Sequence, residues 1–392
     1  MEEYKIGFFD ILKSAGSKKL KLIKILDYFL GIFLYFLPRR KPQKKGELNI
    51  IRVRKILVIR PGGIGDALLV LQLIKRIHSI FDFPQIDILC EKRNREVFIA
   101  QTGVNQVFIF NNIFDIIKII FLKEYDVILD TEQWHNTSSL VSYLVRKKVS
   151  IGFNTKSLRR RFYTYCVEYH QDEYEMISFL RLLSPLEIEK ISDLYKPFKF
   201  SFDIENSILE WSKKAVPLNT VVLFLKGSIP QKCIDNSIIA QIADSFLSKG
   251  FFVLLVGGKD FIKDSRKIIS YISYEHRNKI LNFTGLVSFQ ETAALIKRSA
   301  LYIGSDTGLT HLAYIVGTPT IVIFGSGNIK KWAPPKEWAS NYIFLNKHTH
   351  NSLCTLFGYT LPPRNSQACL DKLDVKEIEI LVAEKFSYII KK

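Results

Sequence analysis

Cysteine is sparse and unpaired in this sequence: Cys90, Cys166, Cys233, Cys354 and Cys369 are scattered, odd in number and form no C-x-x-C pair. Such a set argues against a disulfide scaffold and fits a reducing compartment. Long hydrophobic runs are missing too. The run Ile25–Leu37 (ILDYFLGIFLYFL) is broken by Asp27 and falls short of the roughly 20 residues a bilayer core requires, and no signal-peptide cleavage pattern follows it. There is no Asp-x-Asp pair. The nearest substitute is Asp130–Thr131–Glu132, and His348 and His350 have no matching carboxylate or cysteine set, so no metal is expected. Helix-turn-helix, zinc-finger and aromatic-basic RNA motifs are absent, which argues against nucleic acid as the partner. No solenoid-range repeat and no low-complexity segment occurs. Carboxylates are scarce as well: 38 Asp+Glu stand against 56 Lys+Arg, a formal charge of +18. That excess calls for an anionic partner, either acidic lipid or a phosphorylated substrate.

What the chain does have is enough apolar material for two cores. It is 392 residues long and 47% hydrophobic, and domains usually run about 100–200 residues. From Lys55 onward short β-rich runs alternate with longer amphipathic ones. Strands are expected at Lys55–Ile59, Ile86–Cys90, Gln106–Phe110, Val127–Asp130 and Val149–Phe153, with helices around Ala67–Ile80, Arg95–Gln101, Ile113–Leu122 and Ser138–Arg146. The pattern loosens between Tyr169 and Leu218, where Pro185, Pro197 and Pro217 punctuate it, and a boundary is expected between 200 and 217. Strands resume at Val221–Leu225, Phe252–Val256, Ile280–Phe283, Leu301–Ile303, Thr320–Phe324 and Tyr342–Leu345. Helices are expected near Asn236–Ser248, Ile262–Ile272, Phe289–Arg298 and Leu309–Val316, and Val375–Ile390 closes the chain. Strand–helix alternation implies right-handed crossovers and parallel sheets: an α/β chain of two doubly wound Rossmann-like domains facing across a cleft. Residues 1–50 stand apart. Basic Ser17–Lys24 and Pro38–Lys45 flank the apolar run, a pattern that suits either an interfacial anchor on an anionic membrane or a segment docked on the protein itself.

Two clusters promise chemistry. Lys55–Ile59 runs into Arg60–Pro61–Gly62–Gly63–Ile64–Gly65–Asp66 and then an apolar helix, so Gly62, Gly63 and Gly65 form a turn at a helix start with Asp66 in its first turn. Leu301–Gly325 repeats the scheme, with Asp306, Thr307, Gly308 and His311 where the helix begins. Unpaired N–H groups at helix starts favour phosphates; plain capping is the alternative role for Asp66 and Asp306. Ligands bind beyond the C-terminal ends of parallel strands, which places Asp130, Glu132, Trp134 and His135 on the same rim as Asp66. Arg159, Arg160 and Arg161, after Lys156, are either contacts for acceptor phosphates or a solvated run.

Arg60–Pro–Gly–Gly–Ile–Gly–Asp66, Gly227–Ser228 with Lys232, and Gly304–Ser–Asp–Thr–Gly–Leu–Thr–His311 followed by Phe324–Gly325 and Trp332 together resemble the ADP-heptose:lipopolysaccharide heptosyltransferase family, glycosyltransferase family 9, from about Lys55 to the C-terminus. The resemblance implies a GT-B fold, with an acceptor-binding domain over 51–210 and a nucleotide-sugar-binding domain over 211–392. It implies an inverting transfer of a heptose from ADP-heptose to a lipopolysaccharide core or related glycan, with Asp66 as base and no cofactor beyond the sugar nucleotide. Gly227, Ser228, Lys232, Asp260, Asp306, Thr307, Gly308 and His311 would hold the donor, with Lys226 a second basic candidate. A phosphorylated glycolipid acceptor would place the protein on the inner face of a bacterial cytoplasmic membrane. Three departures leave the donor open to a hexose or N-acetylhexosamine and to a nucleotide other than ADP: Gly257–Gly258–Lys259–Asp260 stands where the family often has a glutamate after the glycines, Ile234 where it has an aromatic residue, and the cysteine-rich C-terminal pattern of some members is reduced to Cys354 and Cys369. A nicotinamide-dependent dehydrogenase is the competing class, using Gly63-x-Gly65 with Glu91 on the ribose.

Overall fold

The computed structural model describes residues 25–27, 29, 35–38, 53–186, 195–227, 232–325, 327–347, 355–356, 359–360, 370 and 373–390. The chain divides into two compact units, Met1–Phe198 with Leu356–Thr360, and Lys199–Thr355 with Leu361–Lys392. Most of the expected N-terminal extension, along with Ser228, His348, His350, Cys354 and Cys369, lies outside the described residues. Among the described residues no helix is long and apolar enough to cross a membrane.

The first unit is built on six strands, β1 (Lys55–Arg60), β2 (Gln85–Cys90), β3 (Gln106–Ile109), β4 (Glu124–Asp130), β5 (Arg146–Phe153) and β6 (Tyr165–Val167). Their order is β3-β2-β1-β4-β5-β6, and the pairings are parallel. This is the 3-2-1-4-5-6 order of a dinucleotide-type sheet, whose switch point lies between β1 and β4. β1 is buried from Ile56 to Arg60 because helices cover both faces of a parallel sheet. Each fully buried Leu or Ile contributes about 1.5–3 kcal/mol to that packing. Helix α1 (Ile64–His78) follows the glycine turn, and its first-turn Asp66 and last-turn Lys75, Arg76 and His78 complement the helix dipole. Ile113–Leu122 is helical as expected, first α-helical (α2, Ile113–Ile117) and then π-helical (Lys118–Leu122). Helix α3 covers Asn136–Leu144 and ends before Arg146, which starts β5 opposite Glu124. Arg95–Gln101 corrects the expected helix: only a 3-10 turn forms at Arg95–Val97. The Asn94 side chain accepts from Glu91 N at 2.9 Å and donates to the Arg60 carbonyl at 3.0 Å, tying this stretch to the end of β1. Short α4 (Ser157–Arg160) and α5 (Glu175–Arg181) complete the unit.

The second unit opens with α6 (Asn206–Ala215), an amphipathic helix between Pro197 and Pro217. Its strands are β7 (Thr220–Phe224), β8 (Phe252–Leu255), β9 (Ile280–Asn282), β10 (Leu301–Ser305), β11 (Thr320–Phe324) and β12 (Tyr342–Asn346). The order β12-β11-β10-β7-β8-β9 is the first unit's topology repeated, again parallel. Between the strands lie α7 (Asn236–Ser248), α8 (Ile262–Tyr271), α9 (Phe289–Arg298), α10 (Gly308–Ile315) and α11 (Ile329–Trp332). A capping box at Ser288 and Glu291 starts α9. Helix α12 (Val375–Lys385), capped by Asp374, buries Ile378 and Val382 against the core that holds Ile242, Phe246 and Leu255.

Candidate active site

In the first unit the end of β1 becomes polar while still buried. Arg60 is 3% exposed. Its Nε donates to the Pro61 carbonyl at 2.6 Å, its Nη1 to the Thr131 carbonyl at 2.8 Å, and its Nη2 forms an ion pair with Glu132 at 3.0 Å. Burial opposes the charge on Arg60, but Asp66 and Glu132 raise its pKa. The guanidinium sits beneath the turn, where a Cβ on Gly62 would come within 3.0 Å of Nη2 and where φ is +110°. Only glycine accommodates both conditions. Asp66 is half-buried, with Oδ2 3.1 Å from where a Gly63 Cβ would lie, so its carboxylate folds back over the start of α1.

The polar end of β4 is internally bonded. Asp130 is fully buried; Tyr163 donates to it at 2.5 Å and Arg159 lies 3.4 Å away. Burial raises its pKa against the pull of Arg159. Glu132 accepts from Trp134 N at 2.9 Å and His135 N at 3.2 Å, and Arg60 and His135 hold it below the usual carboxylate range despite burial. Gln133 donates to Glu175, which also accepts from Tyr169 at 2.9 Å. Of the three arginines only Arg160 is exposed. Arg159 departs from an acceptor contact: it is fully buried and donates to the Glu132 carbonyl at 2.6 Å, to Ser138 at 3.1 Å and to the His135 carbonyl. Arg161 bonds the Leu37 carbonyl at 3.1 Å and covers the Tyr35 ring.

Asp27 reaches this rim from the N-terminal segment. Buried, it accepts from Asn136 N at 3.0 Å and from Thr137 N and Oγ1 at 2.8 Å, so it caps α3 from a distant part of the chain. Burial opposes its charge, yet His135 and these N–H groups hold it far below the ordinary carboxylate range. His135 is raised in turn: burial works against it, while Glu132 and Asp27 favour its protonation. Lys156 places Nζ 3.8 Å from the centre of the Trp134 ring, and burial draws its pKa down to about 8. Trp134, His135 and Lys156 thus form one patch, supported by Arg60 from the head of the glycine turn and by Tyr163 and Asp27, which local sequence patterns did not single out.

In the second unit Lys232 meets Asp306 just before the start of α10, where Thr307, Gly308 and His311 follow. β10 ends at Ser305, Asp306 follows, and Thr307 is the N-cap position of α10 with extended backbone. Lys232 crosses from the loop after β7 to donate to Asp306 Oδ2 at 2.5 Å and to its carbonyl at 3.3 Å. Two glycines make room. A Cβ on Gly227 would approach Lys232 Cβ to 2.5 Å, and one on Gly327 would approach Asp306 Oδ2 to 2.5 Å. His311 is buried and its Nδ1 lies 2.9 Å from the Tyr314 hydroxyl, with the Trp332 ring 6.1 Å away. Gly308 and Thr307 are half-buried at the helix start, whose free N–H groups favour an anion. Asp260 stands exposed beyond β8. Lys226 is engaged by Asp264 at 3.3 Å. Among the described residues no cluster of His, Cys, Asp and Glu could hold a metal ion.

The profile of glycosyltransferase family 9 (heptosyltransferase) matches residues 113–357. The chain belongs to this family. It is therefore a glycosyltransferase. A lipopolysaccharide heptosyltransferase 3 from Escherichia coli is 25% identical over 334 residues, covering 79% of this chain and 96% of that protein. Among solved structures, E. coli ADP-heptose lps heptosyltransferase II superposes with a TM-score of 0.67 at 15% identity, covering 86% of this chain and 98% of that one. E. coli heptosyltransferase WaaC with ADP gives 0.64 at 14%, covering 84% and 99%. The fold is GT-B.

Proposed function

We propose that this glycosyltransferase moves a heptose from ADP-heptose to a lipopolysaccharide core or related glycan with inversion. The observation that carries the reading is the Lys232–Asp306 pair, seated between Gly227 and Gly327 at the start of α10. A cation held at a helix N-terminus suits a diphosphate leaving group, because both supply charge where negative charge grows. Thr307, Gly308 and His311 line the donor beside that pair, and Asp260 takes the ribose. Asp66 is the base: its carboxylate accepts the acceptor hydroxyl proton as that oxygen bonds the anomeric carbon and the bond from that carbon to the diphosphate oxygen breaks. ADP leaves with the electron pair, its charge met by Lys232 and the α10 N–H groups. Trp134, His135 and Arg160 are the acceptor-side groups, and a phosphorylated glycolipid on the inner face of the cytoplasmic membrane is the acceptor class, with the basic N-terminal extension against anionic lipid.

The test is calorimetric binding of ADP-heptose, other ADP- and UDP-sugars and NADH to wild type, Asp306→Ala and Asp66→Ala. The expected result is one sugar nucleotide bound, lost in Asp306→Ala and retained without turnover in Asp66→Ala; binding of NADH alone would sink the reading. Turnover is expected to continue in EDTA. Activity abolished by the chelator and restored by magnesium or manganese would assign a metal role that these residues do not supply.

A further inference from the structure

The helix from Ile113 to Leu122 in the first unit is apolar on two sides. Ile116, Ile119 and Ile120 pack into the core around Leu57, Phe108 and Tyr125. On the opposite side Ile113, Phe114, Ile117, Phe121 and Leu122 are each between 45% and 77% exposed. Positions 113/114 and 117 recur at α-helical spacing and the exposed Phe121 and Leu122 follow in the π-helical turn, so these side chains form one apolar stretch, interrupted by the exposed Lys118, whose Nζ lies 5.5 Å from the centre of the Phe108 ring. Arg146, also exposed, donates to the Phe121 carbonyl at 2.5 Å and puts a second cation at the row's edge. Lys147 follows it and bonds backbone carbonyls. The nearby carboxylates are largely occupied: Asp115 accepts from Ile109 N at 2.7 Å and Asp126 pairs with Lys148 at 2.7 Å, leaving Glu124 exposed. The row begins just past the C-terminal end of β3, on the rim that also carries Asp66.

We infer that this row is a bilayer-docking surface, with Phe114, Ile117, Phe121 and Leu122 entering the headgroup–acyl boundary of an anionic membrane and Lys118 and Arg146 lying among its phosphates. A large apolar row with almost no hydrogen-bonding side chain and a cationic edge matches the chemistry of an interfacial helix, and the chain's +18 charge favours the same surface. The inference deepens the reading of a membrane-borne acceptor and rests on it; the contact would hold the Asp66 rim near the lipid plane.

The full chain is floated with vesicles of phosphatidylglycerol and phosphatidylethanolamine and with vesicles of phosphatidylcholine alone. Wild type is expected to bind the anionic vesicles, and Phe114→Ser/Phe121→Ser to lose roughly tenfold or more of that partitioning with an unchanged melting temperature, since exposed apolar area drives the binding. Lys118→Glu is expected to lower the preference for anionic over neutral lipid. Phe121→Trp gains fluorescence quenching by brominated lipid beyond that of wild type. Unchanged partitioning of the double serine variant, or no vesicle binding by wild type, overturns the inference. So does a wild-type dimer that the double variant converts to monomer with partitioning intact, which assigns the row to a second copy. Transfer to a soluble, acyl-free acceptor is measured in parallel: its absence counts against the proposed reaction and leaves the vesicle result standing.

Discussion

Replacing Arg159 by methionine separates a structural hub from an acceptor contact. Methionine keeps most of the stem and removes the guanidinium. Asp130, fully buried, then keeps Tyr163 but loses its cation, and the Glu132 and His135 carbonyls lose a donor. Removing one partner of a buried pair costs about 3–5 kcal/mol, because the remaining charge stays desolvated. Against a total stability of roughly 5–15 kcal/mol, that is a large share of what holds such a domain folded. For a unit of this size each kcal/mol shifts the midpoint by roughly 2–4 °C, so a fall of about 6–20 °C is expected in the melting transition of the first unit. Arg160→Met, on the exposed neighbour, should stay within about 0.5 kcal/mol of wild type. The double change Arg159→Met/Asp130→Asn should recover part of the loss. Thermal melts and urea titration of the three variants, followed by acceptor kinetics on those that fold, decide the matter. A melting temperature for Arg159→Met within about 2 °C of wild type, combined with a raised acceptor KM, would refute the hub and return Arg159 to the acceptor site.

Three further outcomes follow from the same geometry. Asp27→Ala removes the remote cap of α3 and should cost about 0.5–2 kcal/mol at pH 7; because Asp27 has a depressed pKa when folded, its contribution is present above the unfolded value near 4 and fades as pH falls, so wild-type and variant urea midpoints should converge in acid. Lys156, carrying 13C-methyl groups, should titrate near pH 8 by NMR, and Asp27→Asn should lower that value by removing a favourable charge; since the folded state binds this proton less tightly than the unfolded chain, Lys156 makes stability rise as pH climbs from about 8 toward the ordinary lysine range. Gly327→Ala places a methyl group 2.5 Å from Asp306 Oδ2 and should turn the carboxylate away from Lys232; calorimetry should show donor binding weakened roughly tenfold, about 1.4 kcal/mol, and an unchanged Kd would remove Gly327 from the donor site.

The sheets were readable because a strand buried on both faces is an unbroken apolar run, as in Ile56–Ile59 and Ile321–Phe324, and such runs end where glycine or charge begins. All eleven strands expected from the sequence form, and Asn236–Ser248 and Phe289–Arg298 are helical over their expected lengths. β6 escaped notice because three residues, Tyr165–Val167, make too short a run. The two helix starts after short turns were legible because each is local, a turn and a first helical turn within a dozen residues. What escaped local reading was pairing at long range. Arg60 meets Thr131 across 71 residues, and Asp27 meets Asn136 across 109. Arg159 is a related case: in a run of three arginines the sequence does not say which one turns inward, whereas the buried Asp130 carboxylate does.

Asp27 carries a consequence for how this chain is made. Asp27 is synthesised before Asn136 and Thr137, so its contacts with them form only after β4 and α3 have been laid down. Contacts of such separation form late, once loop closure is offset by the structure they join. Protection of the amide protons of Asn136 and Thr137 would therefore act as a clock, reporting the moment when Asp27 reaches the start of α3.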